Sequence, residues 1–186
     1  MGRTGFQLHT ERLLIRELKA EDVPALAAIL GDAQVMRHSV GGVMNEKDTR
    51  EFVAGCIFSY QANGFGPWAV IDKATSVFIG FCGLNAEPVE GVEEVEIGYR
   101  LARDYWGKGL ATEAAKATRD CAFGVLGVDS LIAIVEPENI ASVNVIEKLG
   151  FNTFIHSQYH RRGVKIYRMT RLNWAAIDAN AQTKLT

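Results

Sequence analysis

Apolar and polar positions along this chain alternate with two different periods, and each switch of period marks an element. Leu13-Leu14-Ile15, held between Arg12 and Arg16, reads as a strand. From Ala20-Glu21-Asp22 the spacing becomes helical, with Val23, Leu26, Ala27, Ile29 and Leu30 on one side and Gly31 as the expected C-cap. A second helix is predicted over Asn45–Tyr60, with Asp48 early and Phe52, Val53, Cys56, Ile57 and Tyr60 as its stripe. Strands are predicted at Trp68–Ile71 and Val77–Leu84, joined by a turn at Asp72-Lys73. A third follows at Glu93–Leu101, where Val95, Ile97, Tyr99 and Leu101 alternate with Glu94, Glu96, Gly98 and Arg100.

Helical spacing resumes over Leu110–Leu126. Ala111, Ala114, Ala115, Thr118, Cys121, Ala122 and Val125 form a face small enough to lie close to a sheet. Leu131–Val135 is unbroken apolar sequence, as expected of a strand covered on both sides. Asn139 is the N-cap of a helix that ends at Leu149-Gly150, where a glycine suits the left-handed closing residue. Phe151–Ile155 and Lys165–Leu172 are expected to pair as a hairpin. Trp174–Asn180 adds a short terminal helix, and the last few residues are expected to be a loose tail. With no internal repeat or linker, one α/β domain over residues 1–186 is predicted.

Composition narrows the classes of function. At 48% hydrophobic and 23% charged the chain is globular, and a formal charge of -2 argues against a nucleic-acid surface. Three cysteines, Cys56, Cys82 and Cys121, cannot all pair and form no C-x-x-C, so buried reduced thiols are expected. No apolar stretch approaches the length of a membrane span and no signal core precedes Thr10, so a cytoplasmic protein without membrane contact is expected.

One segment carries chemistry on its own. Trp106-Gly107-Lys108-Gly109-Leu110-Ala111-Thr112 enters the helix that joins the strands Glu93–Leu101 and Leu131–Val135, which should be parallel neighbours. Glycines at a helix start let backbone N–H groups approach an anion, the positive helix end favours it, and Lys108 adds a cation. A pyrophosphate site is expected. The P-loop pattern is absent, no hydroxyl follows Lys108 to hold magnesium, and the third glycine of a dinucleotide turn is missing.

The segment resembles the CoA-binding turn of the GNAT superfamily of N-acetyltransferases, Q/R-x-x-G-x-G/A. Gly109 and Ala111 match, and Trp106 stands where Gln or Arg is usual. Tyr105–Ala114 is similar to the RimJ/RimL branch, the ribosomal-protein N-terminal acetyltransferases and their relatives. So are Thr10–Arg16, Glu96–Tyr99, Asn139–Ser142 and Glu147–Phe151, in order over about residues 8–172. The resemblance implies a mostly antiparallel sheet with a parallel βαβ pair at the cofactor site. It also implies acetyl-CoA as cosubstrate and an amine as acceptor, in a monomer or homodimer. The acceptor is a peptide N-terminus or a small amine, including antibiotics. By the same likeness Trp106 through Thr112 bind CoA, and the Asn139 amide contacts the pantetheine arm.

An amine must be neutral to attack a thioester, so a base is expected, and Glu96 on the central strand is the candidate. A solvated strand carboxylate is the alternative, and a bulge at Gly98 would change which side chains face the cleft. Some relatives protonate the departing thiolate with a tyrosine whose place here holds Ile146. Ser142 is the nearest hydroxyl, and it is expected either as the acid or as an ordinary helix-surface serine. Ile146 also leaves open a CoA-binding regulator without turnover. Glu87, Glu90, Glu93, Glu94 and Glu96 either attract a cationic substrate or are ordinary solvated charges. His156 and His160 lie in strand and loop without further ligands, so no metal is expected. Trp68 and His38 are candidates for the acceptor pocket, with a core role the alternative for Trp68.

Overall fold

The computed structural model describes residues 5–183, with side chains through residue 179. The expected loose tail lies outside the described residues from residue 184 onward. Eight strands form one sheet: β1 (Gln7–His9), β2 (Leu13–Glu17), β3 (Pro67–Asp72), β4 (Val77–Val89), β5 (Val92–Leu101), β6 (Ser130–Val135), β7 (Phe154–Tyr159) and β8 (Arg162–Thr170). Five helices accompany it: α1 (Val23–Leu30), α2 (Glu46–Ala62), α3 (Leu110–Gly124), α4 (Ile140–Lys148) and α5 (Arg171–Thr183). The strand order is β1-β2-β3-β4-β5-β6-β8-β7, antiparallel throughout except for the β5–β6 pair. The expected mixed α/β architecture is therefore observed.

Two layers of helices cover the sheet. On one face α3 presents the buried Leu110, Ala114, Ala115, Thr118, Cys121 and Ala122. Those small side chains let the helix approach Leu84, Ile97, Leu131 and Ala133 in the main core. Each fully buried leucine or isoleucine there contributes about 1.5–3 kcal/mol over exposure. Val125, expected on that face, lies beyond the helix end and is 60% exposed. On the other face α1 and α2 close a second core through Leu26, Leu30, Val53 and Cys56. Asn45 caps α2 by accepting from the Asp48 amide at 2.9 Å, and Asp48 returns the bond to Asn45 in a capping box. All three cysteines are buried and none forms a disulfide.

Several expected boundaries shift. β7 begins at Phe154, because Phe151 turns into the main core, and β8 ends at Thr170, with Arg171 and Leu172 starting α5. β8 docks between β6 and β7, so the hairpin's second strand carries the connection to the sheet. Gly98 is no bulge: β4 and β5 pair without a shift from Gly80↔Leu101 to Val89↔Val92. The irregularity lies between Val70 and Ile71, opposite Gly80, whose φ of 143° and close approach to the Arg100 carbonyl leave no room for a side chain. Trp68 is fully buried, stacked on Phe6 at 4.5 Å, and is core.

Candidate active site

The β5–β6 ladder registers at one pair, Glu96↔Ile132. β6 runs on to Val135 paired with β8, but its ladder to β5 goes no further than Ile132, and there the two strands part. Two hollows open at this gap. An outer groove of about 580 Å³ runs between the start of α3 and the start of α4, and an inner cleft of about 270 Å³ lies against β5 and β6. His38, Tyr99, Arg100, Asn139 and Ser142 line both and mark the seam where they meet.

The groove is built largely from backbone. Gly107 and Gly109 have φ of 70° and 76°, the left-handed region that glycine enters without strain, and Gly109 is the N-cap of α3. No side chain caps this end, and the first helical bond runs from the Glu113 N–H to the Gly109 carbonyl at 3.0 Å. The preceding amides thus have no helical partner, the arrangement in which helix starts receive anions. Trp106, Gly107, Gly109, Leu110, Ala111 and Thr112 all line the groove. Lys108 does not: its ammonium lies over the Tyr105 ring, 5.2 Å from the centroid, and it lines a separate hollow with Arg12 and Lys73. Trp106 donates its indole N–H to the Leu101 carbonyl at 2.8 Å, tying the turn to the end of β5.

A brace behind the turn was not legible as such. Glu113 accepts from the Thr10 hydroxyl (2.5 Å), the Arg12 amide (2.8 Å) and Arg12 Nε (2.7 Å), while Arg12 Nη1 donates to the Lys108 carbonyl at 2.8 Å. Burial alone would raise the Glu113 carboxyl, but these bonds outweigh it and hold it below the usual carboxylate range. The opening Thr10-Glu11-Arg12 segment therefore supports the glycine turn. Across the groove, Asn139 caps α4, its side-chain oxygen accepting from the Ser142 amide at 3.2 Å.

The inner cleft is built from side chains. Glu96 faces into it, pushed up to about 7 by burial and secondarily by the Glu87 charge. Asn85, Arg100 and the Ile134 backbone act in the opposite direction. Glu136, at the end of β6, accepts from His38 at 2.8 Å and from Arg162 at 2.5 Å, joining the α1–α2 connection to the β7–β8 hairpin. Those two bonds overcome burial and keep its carboxyl below the usual range. Tyr159 crosses the cleft to donate to Glu87 at 2.6 Å, and Ser157 donates to Glu90 at 2.9 Å. Glu94 forms a bidentate pair with Arg168. Three of the five clustered glutamates thus clamp the hairpin over the cleft.

His38 is a cleft residue, whereas Ile146 is buried and presents only an apolar surface there. His156 and His160 pack edge-on against Phe154 and Tyr159. Among the described residues no group of three His, Cys, Asp or Glu is placed to hold a metal, and no helix is long and apolar enough to cross a membrane.

The chain thus sets a groove floored by uncapped helix-start amides beside a buried carboxyl whose pKa is raised. The acetyltransferase (GNAT) domain family matches residues 12–152, and the chain belongs to that family. The family uses acetyl-CoA as acyl donor. The chain is 34% identical to the uncharacterized N-acetyltransferase p20 of Bacillus licheniformis, covering 77% of this chain and 81% of that one. It is 30% identical to spermidine N(1)-acetyltransferase of Escherichia coli (strain K12), covering 78% and 80%. A GNAT-family acetyltransferase structure from Bacillus anthracis superimposes with a TM-score of 0.74 at 28% identity, over 90% of this chain and 99% of the other.

Proposed function

We propose that the protein transfers the acetyl group of acetyl-CoA to a primary amine by direct attack of the neutral amine on the thioester. One observation carries this reading: Glu96 stands in the inner cleft, pushed up to about 7, where that cleft joins the glycine-floored groove. A base of that strength takes a proton from an α-ammonium, near 7.7–8.0, at little cost; an alkyl ammonium near 10.4 asks for more. This supports a peptide N-terminal α-amine as acceptor, in keeping with the RimJ/RimL-like motifs. Trp106, Gly107, Gly109, Leu110, Ala111 and Thr112 would hold the CoA pyrophosphate, chiefly through backbone amides, with Lys108 turned away from it. Asn139 and Ser142 would flank the pantetheine arm, with Ser142 in reach of the seam. Acetyl-CoA supplies the activated acyl group; the chain orients it, excludes water and takes the amine's proton on Glu96. A cytoplasmic setting, rich in CoA and reducing enough for three thiols, fits this role.

The likeness to spermidine N(1)-acetyltransferase favours a second reading, a small polyamine acceptor. Intact-mass measurement of peptides and small amines incubated with enzyme and acetyl-CoA separates the two. Acetylated peptides are expected, and acetylation of polyamines alone would replace the first reading by the second. Binding of CoA without thiol release in any mixture would instead identify a regulator.

A further inference from the structure

The Tyr99 hydroxyl is shut off from solvent and has no hydrogen-bond partner among the described residues. Buried hydroxyls nearly always find one, since water's hydrogen bonds are otherwise forfeited. Ser142 is close enough to influence it, yet not at hydrogen-bonding geometry. Tyr99 lines both hollows, so its side chain stands at the seam between groove and cleft with its hydroxyl buried beside Ser142, where an occupant of the seam would supply the missing partner. The other aromatic hydroxyl of the cleft, on Tyr159, is engaged by Glu87. At the α4 position where some relatives carry a tyrosine, Ile146 offers no donor.

We propose that Tyr99 is a catalytic residue of the acetyl transfer, its hydroxyl donating the hydrogen bond that the CoA sulfur accepts as it departs. This rests on the acetyl-transfer reading above. The amine nitrogen forms a bond to the thioester carbon and the carbon–sulfur bond breaks. The amine's proton passes to Glu96 and on to solvent, and the sulfur leaves with the bonding pair, is stabilised by the Tyr99 hydroxyl and takes its proton from solvent. Tyr99 ends the step protonated. Burial supports this part, pushing the Tyr99 hydroxyl up to about 12, so that it remains a donor at every working pH and does not compete with Glu96 as a base.

The test is Tyr99→Phe, which keeps the ring in the core and removes only the oxygen. Three quantities are read with an amine that the wild type acetylates: kcat at saturating acetyl-CoA, acetyl-CoA affinity by calorimetry, and the Tm of the ligand-free protein. A donor aimed at developing charge is commonly worth about 10²–10³-fold, and a thiolate, a good leaving group, needs less of it. A fall in kcat of about tenfold or more, with unchanged affinity and an equal or higher Tm, is the expected result. Wild-type kcat, a loss confined to affinity, or a kcat loss matched by a lowered Tm would each overturn the role of Tyr99. A wild type that acetylates no amine would overturn the acetyl-transfer reading, and this role with it; an active wild type beside an equally active variant overturns Tyr99 alone.

Discussion

The two hollows that meet at Tyr99 are made in different ways. The outer groove is assembled by continuous stretches of chain: the Trp106–Thr112 turn and the Asn139–Ser142 helix start each supply backbone groups whose placement follows from local dihedrals and caps. The inner cleft, though strand and loop stretches line it, is closed by side chains that meet across the fold. His38 meets Glu136 across 98 positions of sequence, and Tyr159 meets Glu87 across 72. A backbone-built site tolerates changes of side chain but not of conformation, and a side-chain-built site does the reverse. On the proposed reading, the groove would take the cosubstrate common to the family and the cleft the acceptor that differs between members.

The sharpest way to break that contrast is at Glu96. Glu96→Gln is expected to lower kcat/KM for the amine by about 10²-fold or more while leaving acetyl-CoA affinity intact. In the wild type kcat/KM should rise as pH rises through about 7, because a carboxyl with a raised pKa becomes a base only above it. The same shift has a stability sign. The folded state holds the Glu96 proton to higher pH than the unfolded chain, so Glu96's contribution weakens as pH rises from the ordinary carboxylate range to about 7. Thermal melts of wild type and Glu96→Gln should therefore diverge across that window, the variant gaining relative stability toward high pH. Parallel melts, with a small pH-independent rate effect, would return Glu96 to the solvated-carboxylate reading.

The converse variant acts on conformation. Gly109→Val places a β-branched residue at φ 76°, where a Cβ would meet only Arg12 Nη2 at 3.5 Å, so the cost is backbone strain more than crowding. Strain of about 1–3 kcal/mol should appear as an affinity loss for CoA of about fivefold or more by calorimetry. Unaltered affinity in a folded variant would sink the turn as the pyrophosphate site.

A smaller effect is expected one layer out. Arg12→Ala removes the clamp on Glu113 and the Lys108 carbonyl, and a half-exposed pair of this kind is worth about 0.2–1 kcal/mol. CoA affinity should fall by up to about fivefold, and the loss should shrink as salt screens the pair. Ser142→Ala is the mildest change. Slower turnover at saturating acetyl-CoA would give Ser142 a part in the chemistry, weaker CoA binding would make it a cofactor contact, and wild-type behaviour in both would remove it from the site.

Periodicity and caps were enough to place α1 to α4, the seven strands β2 to β8 and the left-handed Gly150, because each depends on neighbours within a turn or along one strand. They also located the glycine turn and the Asn139 cap, each set by consecutive residues. β1, only three residues long, has too little pattern to be read, and the offset of β7 and β8 depends on Phe151 preferring the core to the sheet edge. Only the tertiary structure showed that Thr10 and Arg12 brace the turn through Glu113, 101 to 103 positions away. It alone turned Lys108 out of the groove, set Trp68 in the core and joined His38 to Glu136. The raised pKa of Glu96 and the orphaned hydroxyl of Tyr99 belong to the same class. Both are consequences of burial, and burial is a property of what the folded chain brings to a residue's side, not of the residues beside it in sequence.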